Sequence, residues 1–205
     1  DSLGVKVSGM DVNSSTDYTF DGTGSILSNT TLAEGDYLTT TVLADKLIPD
    51  GMLIKSGTGT LTFANTGSNT FAEGIKLGAG TLAFNNVNQL GDGGKGISFT
   101  GNATIKANDT VTLTNQLILS DTVQASIEAV TGKTLTLTGK IAISDPAYTA
   151  SFEKSGSGTV VLSNGANSWK GATTISAGTL RAIGVSTLGA TSGVSIAAAT
   201  GTLDI

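Results

Sequence analysis

The side chains that could do chemistry are few: there is no histidine, no cysteine and a single arginine, Arg181, in 205 residues. A Ser-His-Asp mechanism needs an imidazole base, so serine-protease chemistry is excluded for this chain. Carboxylates remain. Asp121 with Asp145, or Glu128 with Glu153, are separated by roughly one repeat, a spacing that lets a solenoid hydrolase or lyase place acids on neighbouring coils. No cluster of Arg and Lys accompanies them, and acids at solvated turns are the simpler reading. Gly91-Asp92-Gly93-Gly94-Lys95-Gly96 fits the dinucleotide Gly-x-Gly-x-x-Gly pattern, which requires a following helix. Ile97-Ser98-Phe99 reads as a strand instead, so the glycines mark a turn. Asp11, Asn13, Asp17, Asp21 and Asn108-Asp109 suggest calcium, yet the glycine-rich nonapeptide of calcium-binding β-rolls is missing. No catalytic residue, cofactor site or metal site is expected.

The elements that position any surface come from a repeat. Lys55-Ser56-Gly57-Thr58-Gly59-Thr60-Leu61, Asn69-Thr70-Phe71 and Gly78-Ala79-Gly80-Thr81-Leu82 return about 98 residues later. The second copy reads Lys154-Ser155-Gly156-Ser157-Gly158-Thr159-Val160, Asn167-Ser168-Trp169 and Ser176-Ala177-Gly178-Thr179-Leu180. Beyond it, Leu90-Gly91 matches Leu188-Gly189, Ile97-Ser98-Phe99 matches Val194-Ser195-Ile196, and Thr104-Ile105 matches Thr202-Leu203. Around each Thr-hydrophobic pair the apolar residues alternate, which marks a strand with one buried face. Gly and Asn bound these strands, as residues that accept left-handed corners do.

A short strand every seven or eight residues, returning after about 21, describes one coil of a solenoid with roughly three strands. Such a coil closes its apolar face only by stacking on the next. The expected ladders are Leu61, Leu82 and Ile105 in one copy and Val160, Leu180 and Leu203 in the other. Each fully buried member contributes roughly 1.5 to 3 kcal/mol relative to exposure. About nine or ten coils would fill the chain. Phe71 and Trp169 hold equivalent places and read either as packing over a corner or as exposed anchors for a partner. The two Leu-Gly steps read as turns, or as single helical turns ended by glycine. Residues 1–50 repeat less clearly, with a short helix expected over Leu43 to Ile48, and nothing divides 1–205 into separate domains.

Composition agrees with an all-β chain: 28 glycines, many threonines, 13% charged residues and two prolines. A net charge of −5 and pI near 4.5 argue against nucleic acid, which needs a basic stripe, and against anionic membrane surfaces. No apolar run approaches the roughly 18 residues that a spanning helix needs. The chain opens on Asp1 and reads as a piece of something longer.

The Lys-x-Gly-x-Gly-Thr-Leu strand, Asn-Thr-aromatic corner, Gly-rich step and Ala-Gly-Thr-Leu strand resemble the passenger-associated transport repeat of bacterial autotransporters. The likeness covers roughly residues 50–105 and 150–205. It implies a right-handed parallel β-helix outside the cell, exported through an outer-membrane barrel that is a separate C-terminal domain, with no membrane insertion of this segment. It also implies a non-enzymatic structural or adhesive role, with a host cell-surface or matrix molecule, or other passengers, as partners. A carbohydrate-active β-helix enzyme and a passive stalk with its binding tip elsewhere are the alternatives.

Overall fold

The computed structural model describes residues 5–7, 9–28, 51–91, 93–197 and 199–205. The short helix expected over Leu43 to Ile48 lies outside them. The described chain is built almost entirely of short strands, and every strand pairing is parallel. Strands follow one another around a three-sided prism, each pairing with the strand one coil earlier, one coil later, or both.

The first face is a six-stranded sheet: Met10–Val12, Met52–Lys55, Gly74–Leu77, Ile97–Phe99, Leu117–Leu119 and Ile141–Ile143. The second face has eight strands: Tyr18–Phe20, Thr60–Phe63, Gly80–Phe84, Ala103–Ala107, Gln124–Ala129, Ser151–Ser155, Thr173–Ile175 and Val194–Ile196. On the third side, Val5–Val7, Ile26–Ser28 and Thr70–Phe71 make one small sheet. Val111–Leu113, Thr134–Leu137, Thr159–Leu162, Gly178–Ala182 and Gly201–Asp204 make another. Between them a 3-10 turn, Val87–Leu90, replaces a strand. Asn86 caps it, with Gln89 closing the capping box, and Gly91 ends it at φ 87°. The helical turn expected at Leu90-Gly91 is therefore present, while its counterpart at Leu188-Gly189 is a non-helical turn.

The column Tyr18, Leu61, Leu82, Ile105, Ile127, Lys154, Ile175, Ile196 runs down the second face. Its steps are 43, 21, 23, 22, 27, 21 and 21 residues. That gives seven turns where nine or ten were expected. The two long steps account for much of the difference: a uniform 21-residue period overcounts whenever one step takes up more chain.

Inward-facing side chains fill the prism. Leu61, Leu82, Ile105, Val160 and Leu180 are all fully buried, and Leu203 packs against the same core from its edge. The register pairs Leu61 with Leu82 and Leu82 with Ile105 on the second face, and Val160 with Leu180 and Leu180 with Leu203 on the third. The two copies of the repeat thus stand on different faces. In the first copy the lysine strand lies on the first face and the Gly-Thr-Leu strands on the second. In the other copy both have moved round by one face.

Candidate functional site at the repeat corners

Because side chains alternate along a strand, Lys55 at the end of Met52–Lys55 points into the prism with Leu53. Lys154 does the same within Ser151–Ser155. Both are buried, at 1% and 0% exposure. An interior ammonium is tolerated only when hydrogen bonds replace its water. The Lys154 Nζ donates to the carbonyls of Ser155 at 2.8 Å, Gly156 at 2.6 Å and Ala177, one coil later, at 2.9 Å. The Lys55 Nζ donates to Gly57 O and to Ala79 O, the latter at 3.3 Å. Burial pushes the Lys154 ammonium down to about 8, opposed by the charge of Glu128. Lys55 is lowered by burial as well, with Asp17 opposing.

The glycines of the motif belong to the same device. Gly80 and Gly178 follow the acceptor alanines and adopt φ 70° and 64°, which glycine reaches without penalty. A Cβ on Gly80 would stand 2.4 Å from the carbonyls of Gly57 and Gly59 and 2.7 Å from the Lys55 ammonium. A Cβ on Gly178 would stand 2.4 Å from Gly158 O. The Lys-x-Gly-x-Gly and Ala-Gly-Thr-Leu halves of the motif are one corner, seen in two successive coils.

A second clip sits at the Asn-x-aromatic corner. Asn69 Oδ1 accepts from the Ile26 amide at 2.8 Å in the coil before, and its Nδ2 donates to Gln89 O at 3.0 Å in the coil after. Asn167 repeats this with Ile141 N at 2.8 Å and Thr187 O at 2.7 Å. Each amide ties three coils. The adjoining aromatics pack inside: Phe71 lies 5.7 Å from Phe63, and Trp169 stacks on Phe152 at 5.0 Å with its Nε1 donating to Thr173 Oγ1. At 2% and 0% exposure, Phe71 and Trp169 offer no ring to a partner. That corrects the exposed-anchor reading, for the corner turns them toward the core.

The acids singled out for chemistry lie on neighbouring coils, but each is engaged by its own partners. Asp121 Oδ1 accepts the amides of Thr122 and Thr149. Glu128 pairs with Lys106 at 2.9 Å, and Glu153 accepts from Gln124 and Ser176. The glycine run that ends at Gly96 leads into strand Ile97–Phe99, with no helix. Among the described residues no group of three or more acids forms a metal cluster. An amide rung joins Asn108 to Asn85 at 3.1 Å. Sequence reading missed the two lysines and the two asparagines as clips. Their signal was present, because each recurs at its place in both copies, and each lysine falls at an inward position of an alternating strand.

The Passenger-associated-transport-repeat family matches residues 53–84 and 152–182, the spans that carry both clips. Both copies are passenger-associated transport repeats. The Adhesin BmaC autotransporter of Brucella suis biovar 1 (strain 1330) is 30% identical to the segment over 151 residues, 71% of this chain. The segment spans 4% of that relative's length. No solved structure matches it. This likeness to autotransporter passengers implies export to the bacterial cell surface, and the matched repeats are the coils whose corners the Lys and Asn clips close.

Proposed function

We propose that residues 1–205 act as one stiff, non-enzymatic length of an adhesive passenger. It holds lateral side chains at fixed spacing outside the cell, where they meet a host-surface or matrix molecule or another passenger. The observation that carries this reading is the coil-to-coil clipping. The buried lysines and asparagines of the repeat join coils, and the half-buried acids Glu128 and Glu153 are tied to their own neighbours. The name of the relative, an adhesin, supports the same role.

Register-preserving deletion tests it. Removing residues 61–104 joins the coils at equivalent positions of the Leu61, Leu82, Ile105 column. In the parent protein displayed on bacteria, export is expected to persist while attachment or autoaggregation falls. Undiminished adhesion would make this length a passive stalk. Release of reducing ends or unsaturated products from acidic or neutral polysaccharides would contradict the non-enzymatic assignment.

A further inference from the structure

The 27-residue step between Ile127 and Lys154 places its surplus at one corner, where residues 144–150 link the strand Ile141–Ile143 to Ser151–Ser155. The equivalent link in the first repeat is only Gly78 and Ala79. This turn carries the chain's one Asp-Pro peptide bond, Asp145-Pro146, and both residues are exposed.

Three contacts organise that bond. The Ala147 amide donates to Asp145 Oδ1 at 2.8 Å, folding the carboxylate over the C-terminal side of its own residue. The Tyr148 amide donates to the backbone carbonyl oxygen of Asp145 at 3.0 Å. The Lys170 ammonium donates to the carbonyl of Pro146 and so pins the other side of the bond. A carboxylate is thus beside a carbonyl whose oxygen already has a backbone donor. The leaving group is a tertiary amide nitrogen.

We propose that Asp145-Pro146 is a self-scission point of the folded segment. The second carboxylate oxygen of Asp145 attacks its own backbone carbonyl carbon, forming a C–O bond in a five-membered ring. The displaced electron pair goes to the carbonyl oxygen, where the Tyr148 amide stabilises it as an oxyanion donor does. Collapse breaks the C–N bond. The Pro146 nitrogen leaves with the electron pair and takes a proton from solvent, becoming a secondary amine. Water opens the cyclic anhydride to two carboxyl groups on Asp145, so one water is consumed in total. The proton demand makes the reaction faster in acid. The charged groups facing the turn are Asp121 from the preceding coil, which accepts the Thr149 amide, and Lys170 from the following one.

Scission leaves the prism assembled. Ser151–Ser155 stays paired with Gln124–Ala129, and Thr159–Leu162 with Thr134–Leu137, across the nick. The product is a two-chain solenoid that separates only on unfolding.

The test incubates the purified chain at about pH 4, near the ordinary aspartate value, and at neutral pH, each in the folded state and in urea. Intact mass and denaturing electrophoresis follow fragments 1–145 and 146–205. Folded chain in acid is expected to cleave at this bond at least about tenfold faster than chain in urea at the same pH, since the fold holds the reacting atoms together. Asp145→Asn and Pro146→Ala, checked for folding by Trp169 fluorescence, are expected to lose that advantage. Native gel filtration should show the cleaved material eluting as intact. Equal rates folded and unfolded, or no cleavage at this bond, would overturn the proposal.

Discussion

The ammonium of Lys154 reaches the backbone carbonyl of Ala177, one coil away, at 2.9 Å, while also closing the corner of its own coil through Ser155 and Gly156. Lys154→Met would keep the buried stem and strand three carbonyls without their donor. The expected loss is about 1 to 3 kcal/mol, read as a lower urea midpoint at unchanged m-value. An unchanged midpoint would mean that the cost of burying the charge cancels its bonds.

Stability should depend on pH through the same group. The folded value is about 8 against an ordinary lysine value of 10.5, so between these limits the unfolded chain binds more protons than the folded one. Unfolding free energy therefore rises with pH across that window. The shift of Lys55 has the same sign. Urea midpoints from about pH 8 to pH 10.5 should climb for the native chain and climb less for Lys154→Met. A falling curve over this window would contradict the buried-ammonium assignment.

Trp169 fills the corner that Phe71 fills in the other copy, and it stacks on Phe152. Trp169→Ala should cost about 3 to 5 kcal/mol as a cavity-forming change. Trp169→Phe should cost less, because the first copy already shows a phenyl ring closing this corner. Thermal unfolding followed by circular dichroism separates the two.

Two glycines with positive φ distinguish backbone strain from crowding. Gly132 at φ 73° has open space where a Cβ would stand, with nothing within 4 Å, whereas a Cβ on Gly178 at φ 64° would come to 2.4 Å from Gly158 O. Gly132→Ala should cost about 1 to 2 kcal/mol for the left-handed backbone alone. Gly178→Ala should be clearly worse, and equal midpoints would show that the corner has room to relax.

Leu61 and Leu82 are neighbours in the second-face column. Leu61→Ala and Leu82→Ala should each lower stability by about 2 to 5 kcal/mol. Little effect from both would contradict the inward register.

Much of this fold was legible in the sequence because period-two alternation and glycine corners are local. Leu61, Phe63 and Leu82 declare their faces without reference to the rest of the chain. The number of turns was less legible, since nothing in residues 144–150 shows that they stay within one coil. The rotation between copies was hidden for a related reason. The motif specifies how two adjoining sides meet at a corner, and it fits any adjoining pair, so Lys55 and Lys154 carry the same sequence on different faces. The lysine clip was overlooked because a charged residue ordinarily reads as surface, and only its inward position between Leu53 or Phe152 and the corner reveals otherwise.

The claim on which the rest stands is that both repeat copies belong to one continuous prism, the second turned by one face. Gln124 and Ser151 are register partners across the junction. Adjacent parallel strands lie about 4.8 Å apart, within the Cα range that a disulfide bridges. With no native cysteine to interfere, Gln124→Cys combined with Ser151→Cys should oxidise to an intramolecular disulfide in the folded chain. If both thiols stay free and reactive under oxidising conditions, the second copy does not stack on this face and the continuous prism is contradicted.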